Sequence, residues 1–267
     1  MLTTLLVSLP ALAGAWTQPQ GGAYVRAGYR AWRGDQAFTA SGDFAPVGSF
    51  TDHALQYYAE VGLAPNWTLI ARGAPIGYAK LPEGGGFYSA AERVGVRRQL
   101  VDRDLKLAAE LYVGGTPPLG DRNMAEGAAH GLVYQPSVPT ALAAGELWLG
   151  RGFTHTWLTG GLGFYAQSSA ALHNAASASV QFGWKAPHGL VLDLHLSGYS
   201  ALAPIETTNF AGAGDTRYVG GGVGIAWWPT ESLGISTGFE AAPYALSNAG
   251  ALTLPLFVEW KRQPAKG

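Results

Sequence analysis

Cysteine is absent from the 267 residues, which excludes disulfides, thiol catalysis, thiolate metal sites and a lipid-anchored cysteine. Charge is scarce too. Lys, Arg, Asp and Glu supply 13% of the chain, 17 basic against 18 acidic, where soluble domains carry roughly 25%. With a net charge of −1 and no block of one sign, there is no electrostatic footprint for nucleic acid. Long apolar runs are missing as well. The longest stretch free of charged side chains, residues 152–184, is broken by Gly160-Gly161, Gly163, Gln167-Ser168-Ser169 and His173-Asn174, so it falls short of the ~20 continuous apolar residues of a spanning helix. A helical period of 3.6 is equally hard to find.

What the chain does have is glycine, 38 residues, with 12% aromatics and 48% apolar residues overall. That is too hydrophobic for a disordered chain. The length suits one large all-β unit. The first fifteen residues carry no charge, and Leu2 to Leu9 precede Pro10 and the small-residue stretch Ala11, Ala13, Gly14 and Ala15. This reads as a secretory signal peptide, residues 1–15, although a basic residue before its apolar core is missing. Cleavage after Ala13 or Ala15 would leave Trp16 near the start of a single domain, 16–267.

Period-two alternation runs through the rest of the chain. In the first segment Ala23, Val25, Ala27, Tyr29 and Ala31 share one face, and Tyr24, Arg26, Gly28 and Arg30 share the other. Leu55, Tyr57, Ala59, Val61 and Leu63 oppose Gln56, Tyr58, Glu60 and Gly62. Leu105, Leu107, Ala109, Leu111 and Val113 oppose Lys106, Glu110 and Tyr112. The pattern recurs at 178–184, 190–197 and 252–260. It is weaker at 67–79, 89–100, 142–153, 156–167, 216–228 and 232–243, where glycine or an Arg on the apolar face interrupts it. The count predicts about twelve strands. Connections alternate between short ones, at 64–66, 101–103, 154–155, 186–188 and 229–231, and long ones, at 33–51, 80–88, 114–141, 168–174, 201–215 and 244–250. Trp67, Trp157, Trp184, Trp227, Trp228 and Trp260 fall near the short connections or the last strand's end, as an interfacial girdle would.

The hairpin 57–70, with Glu60, Pro65, Asn66 and Trp67 in it, resembles those of bacterial outer-membrane β-barrels, and this resemblance covers the whole chain after the signal segment. A fainter resemblance is to small transporter-type barrels named for meta-cleavage phenol degradation. The resemblance implies an all-β transmembrane antiparallel barrel in the outer membrane of a Gram-negative cell. Its partners would be outer-membrane lipid, the barrel-assembly machinery and an unidentified small solute. Such barrels usually end on an aromatic residue, whereas here Trp260 is followed by Lys261 and six further residues. A soluble β-sandwich is the alternative, but its exposed faces would be rich in Lys, Glu and Thr, and here many of those positions are glycine or aromatic.

In a barrel the polar faces line the lumen. Arg72, Arg93, Arg97 and Lys106 then form a cationic wall, Asp193, Glu240 and Glu259 an anionic wall across it, and Arg26, Arg30 and Glu60 an ion-pair cluster. Lys185, Glu110 and Glu146 also face inward. Tyr24, Tyr58, Tyr112 and Trp148 project inward with Tyr78, Tyr165, Tyr199 and Trp228, either to stack sugars or aromatic solutes or simply to fill a narrow interior. Twelve strands lie between filled and wide-open barrels. The 114–141 segment is expected to be a solvated loop and is the first candidate for gating.

No cofactor, phosphate-loop or metal-ligand spacing is present. Asp193, His195 and Ser197 share a face, but residues two apart on a strand lie about 6.5–7 Å apart, too far for a base to reach its nucleophile. His173 has Ser168-Ser169 before it and no evident orienting carboxylate. Gly220-Gly221-Gly222-Val223-Gly224 is read as mid-strand packing, not a phosphate site. The expected function is a narrow passive channel. A closed structural or surface-interaction barrel is the alternative, and a membrane hydrolase comes third.

Overall fold

The computed structural model of the chain describes residues 14–118, 131–169 and 172–264. Thirteen strands occur in chain order: β1 (Ala23–Phe38), β2 (Phe44–Ala64), β3 (Trp67–Leu81), β4 (Gly84–Tyr88), β5 (Glu92–Asp102), β6 (Leu105–Thr116), β7 (Thr140–Gly152), β8 (Thr156–Gln167), β9 (Ala175–Lys185), β10 (Leu190–Ala201), β11 (Arg217–Trp227), β12 (Leu233–Leu246) and β13 (Asn248–Arg262). Neighbours pair antiparallel, and β1 pairs with both β2 and β13, from Ala23↔Val61 and Ala23↔Arg262 to Phe38↔Phe44 and Phe38↔Asn248. The sheet is therefore a closed barrel of twelve strands. β4 continues the line of β5 alongside β3, in one register from Trp67↔Arg98 to Leu81↔Gly84. Among the described residues no helix is long and apolar enough to cross a membrane.

The alternation decides which way each side chain points. Leu111, Val113, Leu147, Leu162, Phe182, Leu194, Leu254 and Val258 stand on the outside with large exposed areas, while Tyr24, Glu60, Arg97, Glu110, Tyr112 and Glu146 are buried within. A continuous apolar exterior of this kind belongs in hydrocarbon, where a closed ring leaves no strand edge unpaired. Arg98 and Arg151, the cations that interrupt the apolar face, sit beside the short turns and lie over the Trp67 and Phe153 rings, at 5.2 Å in both cases. Their aliphatic stems cover apolar surface while their heads reach the interface.

Three expectations change. Tyr78 faces out, against Phe87 (5.0 Å), because β3 carries an extra residue: Gln56 alone spans Ala74 and Pro75 between the pairs Leu55↔Ile76 and Tyr57↔Gly73. A bulge flips every later side chain, and proline, which lacks a donor, suits it. The tryptophan girdle divides. Trp67, Trp184, Trp227 and Trp260 face out, but Trp157 is buried inside with Tyr24 and Val191, and so is Trp228, as its inward place in the alternation implied. Each lies where a glycine on the next strand makes room, Gly183 for Trp157 and Gly234 for Trp228. Finally, the expected loops 33–51, 80–88 and 244–250 are mostly strand, with turns only at 39–43, 82–83 and Ser247. These hairpins overshoot the apolar band, where alternation gives way to an aqueous, mixed pattern. Residues 1–13 of the expected signal peptide lie outside the described residues.

A Cβ at position 183 would lie 1.9 Å from the Trp157 ring. Gly183→Val should therefore cost about 1–3 kcal/mol by overpacking, read as a lower urea midpoint for the micelle-bound barrel.

Candidate functional site

The lumen is stitched together on its β2–β7 side by buried ion pairs, with cavities beside them. The stitching centres on Arg97 of β5, which is 1% exposed. Its Nε donates to Glu110 of β6, Nη1 donates to Glu60 of β2 (2.7 Å) and to the Trp16 carbonyl (2.8 Å), and Nη2 donates to the Tyr58 hydroxyl (3.0 Å). Tyr58 donates to Glu60 and Tyr112 to Glu110. A buried guanidinium with two carboxylates and two further acceptors is one of the few ways to carry an ion at such depth. Arg72 of β3 repeats the scheme with Glu146 of β7 (2.6 Å), and Glu146 also accepts from Tyr165 (2.8 Å) and Trp148 (3.2 Å).

Residues 14–22 run inside this wall. The Ala15 carbonyl accepts from Gln99 (2.8 Å), the Gln18 amide donates to Thr68 (2.8 Å), and the Gln18 side chain donates to Glu60 (2.6 Å). Trp16 packs with Tyr24, Tyr58 and Trp157. The segment thus occupies the short-turn half of the lumen on that side. Its small residues fit the tight space: a Cβ at Gly14 would collide with Arg97, and one at Gly150 with Ala15.

The lumen holds three adjoining cavities of about 480, 390 and 260 Å³, the first reaching across it from Arg72 and Glu146 to Tyr218 and the other two bordered mainly by β1 and β9–β13. The first two share Arg30, Gln56 and Tyr218, and the last two share Arg26, His195 and Glu240. Space exists there because β11 turns Gly220, Gly222 and Gly224 toward the lumen, so the glycine cluster acts as missing wall. At the loop end residues 131–139 fold over the mouth. Tyr134 is buried against Phe50 (5.7 Å) and Phe210 (5.0 Å), and Pro136 and Val138 line the 480 Å³ cavity. Tyr134 donates to Asp52 (2.5 Å), which also accepts from Tyr88 (2.5 Å) and Arg30 (3.0 Å). Burial and the Asp52 carboxylate push the Tyr134 phenol well above its ordinary pKa. The described part of the 114–141 segment is therefore a cap, not a solvated loop, because its apolar residues find a core built by the overshooting hairpins.

The predicted charges all face the interior, but they group differently. The cluster of Arg26, Arg30 and Glu60 does not form. Arg26 lies 3.7 Å from Glu259, Arg30 pairs with Asp52, and Glu60 pairs with Arg97. Nor is the cationic wall a bare one, since Arg72 and Arg97 have carboxylates beside them and Lys106 pairs with Asp102 at a turn. Arg93 alone of that wall forms no ion pair among the described residues; its guanidinium lies over Tyr165 at 5.3 Å. Of the anionic wall, Glu259 faces Arg26, while Asp193 and Glu240 flank His195 at 3.4 and 3.6 Å. His195 thus hydrogen-bonds Asp193 through Nδ1 and has Glu240 near Nε2, and no hydrogen bond joins it to Ser197 among the described residues. Asp52 and Gln99 escaped the sequence reading: Asp52 lies between the expected loop 33–51 and the alternation that starts at Leu55, and Gln99 is an uncharged residue in a weak strand. Asp215 supplies the carboxylate that His173 was expected to lack, at 2.5 Å from Nδ1, and it also accepts the His173 backbone N–H (2.8 Å), tying two outer loops together. Among the described residues no group of three His, Asp or Glu is placed to hold a metal.

Arg97→Met should leave two buried carboxylates unpaired and cost about 3–5 kcal/mol, seen as a lower unfolding midpoint in micelles. Adding Glu110→Gln should recover part of the loss.

No family model matches the chain, and no curated protein matches it in sequence. Among solved structures it is similar to an outer-membrane channel from Pseudomonas putida F1, with a TM-score of 0.67 and 11% identity over 95% of this chain and 100% of that one. It is also similar to the NanC porin, with a TM-score of 0.54 and 8% identity over 90% of this chain and 100% of that one. The ring of twelve strands, its lipid-facing exterior and these likenesses agree: the chain has the fold of the bacterial outer-membrane β-barrel channels.

Proposed function

We propose that the protein is a narrow passive channel for small solutes across the outer membrane, without catalytic activity. The observation that carries this reading is the chain of three adjoining cavities through the lumen, two of them against the inward glycines of β11, beside a wall of ion pairs and residues 14–22. A barrel serving only as a scaffold has no need to turn three glycines inward on one strand. The charges along the route are sparse and mostly paired, so the channel is weakly selective. Arg93 stands at the loop-side cavity, and Asp193 and Glu240 at the others. Residues 14–22 narrow the short-turn mouth, and cleavage of the signal peptide after Ala13 would leave Gly14 and Ala15 in place to do so.

Purified protein in planar bilayers should give small, stable single-channel steps. Arg93→Glu should shift selectivity toward cations and Glu240→Lys toward anions, each read as a displaced reversal potential in a salt gradient. A protein lacking residues 14–20 should conduct several-fold more. Gly220→Leu should conduct less, because its side chain enters the middle cavity. Absence of any conductance, with and without residues 14–20, would refute the channel and leave a closed barrel.

A further inference from the structure

The 480 Å³ cavity of the lumen has more donors than acceptors. Three arginines border it, Arg30, Arg72 and Arg93, with only two carboxylates, Asp52 and Glu146. Both carboxylates are already committed. Asp52 accepts from Arg30, Tyr88 and Tyr134, and Glu146 from Arg72, Tyr165 and Trp148. Donors on the arginines are left over. Arg93 has no ion pair, and Nε of both Arg30 and Arg72 is buried with no hydrogen-bond partner among the described residues. Buried donors left this way are rare, and a surplus guanidinium offers a fork that fits a carboxylate.

Beside Arg93 runs a ladder of rings. Tyr165 of β8, which the guanidinium covers, lies 5.9 Å from Tyr199 of β10, and Tyr199 stacks on Tyr218 of β11 at 6.0 Å with 15° between the planes. All three border the same cavity. Flat faces with polar tips suit a flat ring or the apolar face of a sugar, and a volume of about 480 Å³ falls within the range of small-molecule sites.

We propose that this cavity is a binding subsite for a ring-bearing organic monoanion, with Arg93 taking the carboxylate and the Tyr165, Tyr199 and Tyr218 ladder taking the ring. The subsite deepens the channel reading and rests on it, since it lies on the route through the barrel. It makes the protein a channel with a preferred cargo. The ring has two sources, an aromatic acid or a sugar acid, and both present the same chemistry to the site.

Calorimetric titration of the purified full chain in detergent, with benzoate and with glucuronate as probes, tests this. At least one acid should bind at one site per chain, and its neutral counterpart, benzamide or glucose, at least tenfold more weakly. Benzoate binding alone identifies the aromatic source, glucuronate binding alone the sugar source, and binding of both supports the shared chemistry. Arg93→Gln should weaken the acid at least tenfold. Tyr199→Ala, which disturbs no ion pair, should weaken it at least fivefold and serves as an independent variant should Arg93→Gln fail to fold. Binding of neither acid, or equal binding by both variants and the parent, overturns the subsite. Conductance recorded on the same material separates the two readings: steps without acid binding sink the subsite alone, and acid binding without steps sinks the channel alone.

Discussion

Hydrocarbon offers no partner to a backbone N–H or C=O, and this single constraint shapes the molecule. Each unpaired group would cost several kcal/mol, so the first and last strands must find each other, and β1 meets β13 along its whole length. Once the ring closes, alternation has one meaning everywhere: odd positions meet lipid and even positions meet the lumen, or the reverse, until a bulge intervenes. The bulge at Ala74 and Pro75 shows how strict the rule is, because one extra residue turns Tyr78 from the lumen to the outside.

Closure also creates the problem that the interior solves. A twelve-stranded ring is too wide to be packed by its own side chains as an eight-stranded one is, yet an unsupported lumen of charges would be costly. The β2–β7 half answers with Arg97, Arg72 and their carboxylates, each bridging strands far apart in sequence. It also answers with the segment 14–22, whose backbone carbonyls serve as acceptors for Arg97 and Gln99. Space remains beside this network, and toward β9–β13 the inward glycines of β11 widen it. The placement of these bridges, more than ring size, decides where the lumen stays empty.

Much of this was legible in the chain. The strands, the side each residue faces and the inward Tyr24, Tyr58, Tyr112 and Trp148 follow from period two, since a pleated strand in a closed barrel has no other way to place them. Paired charges were legible only as a balance. That Glu60 turns to Arg97 and not to Arg26, or that Arg93 is left without a carboxylate, depends on which strands stand opposite each other across the lumen and how far each long side chain reaches, and no spacing encodes either. Asp52 was hidden for another reason: the hairpin that holds it continues past the membrane, where the alternation that marks a strand fades.

The sequence by itself determined the architecture, a lipid-embedded ring of about twelve antiparallel strands, because composition and a two-residue period are local and survive any arrangement of loops. Tertiary structure decided what fills the ring. Where Trp157 goes, how residues 131–139 close over the mouth around Phe50 and Phe210, and where the lumen keeps empty space are settled by contacts between residues distant in the chain. Those contacts depend on the ring's diameter and stagger, and both exist only after the last strand has paired with the first.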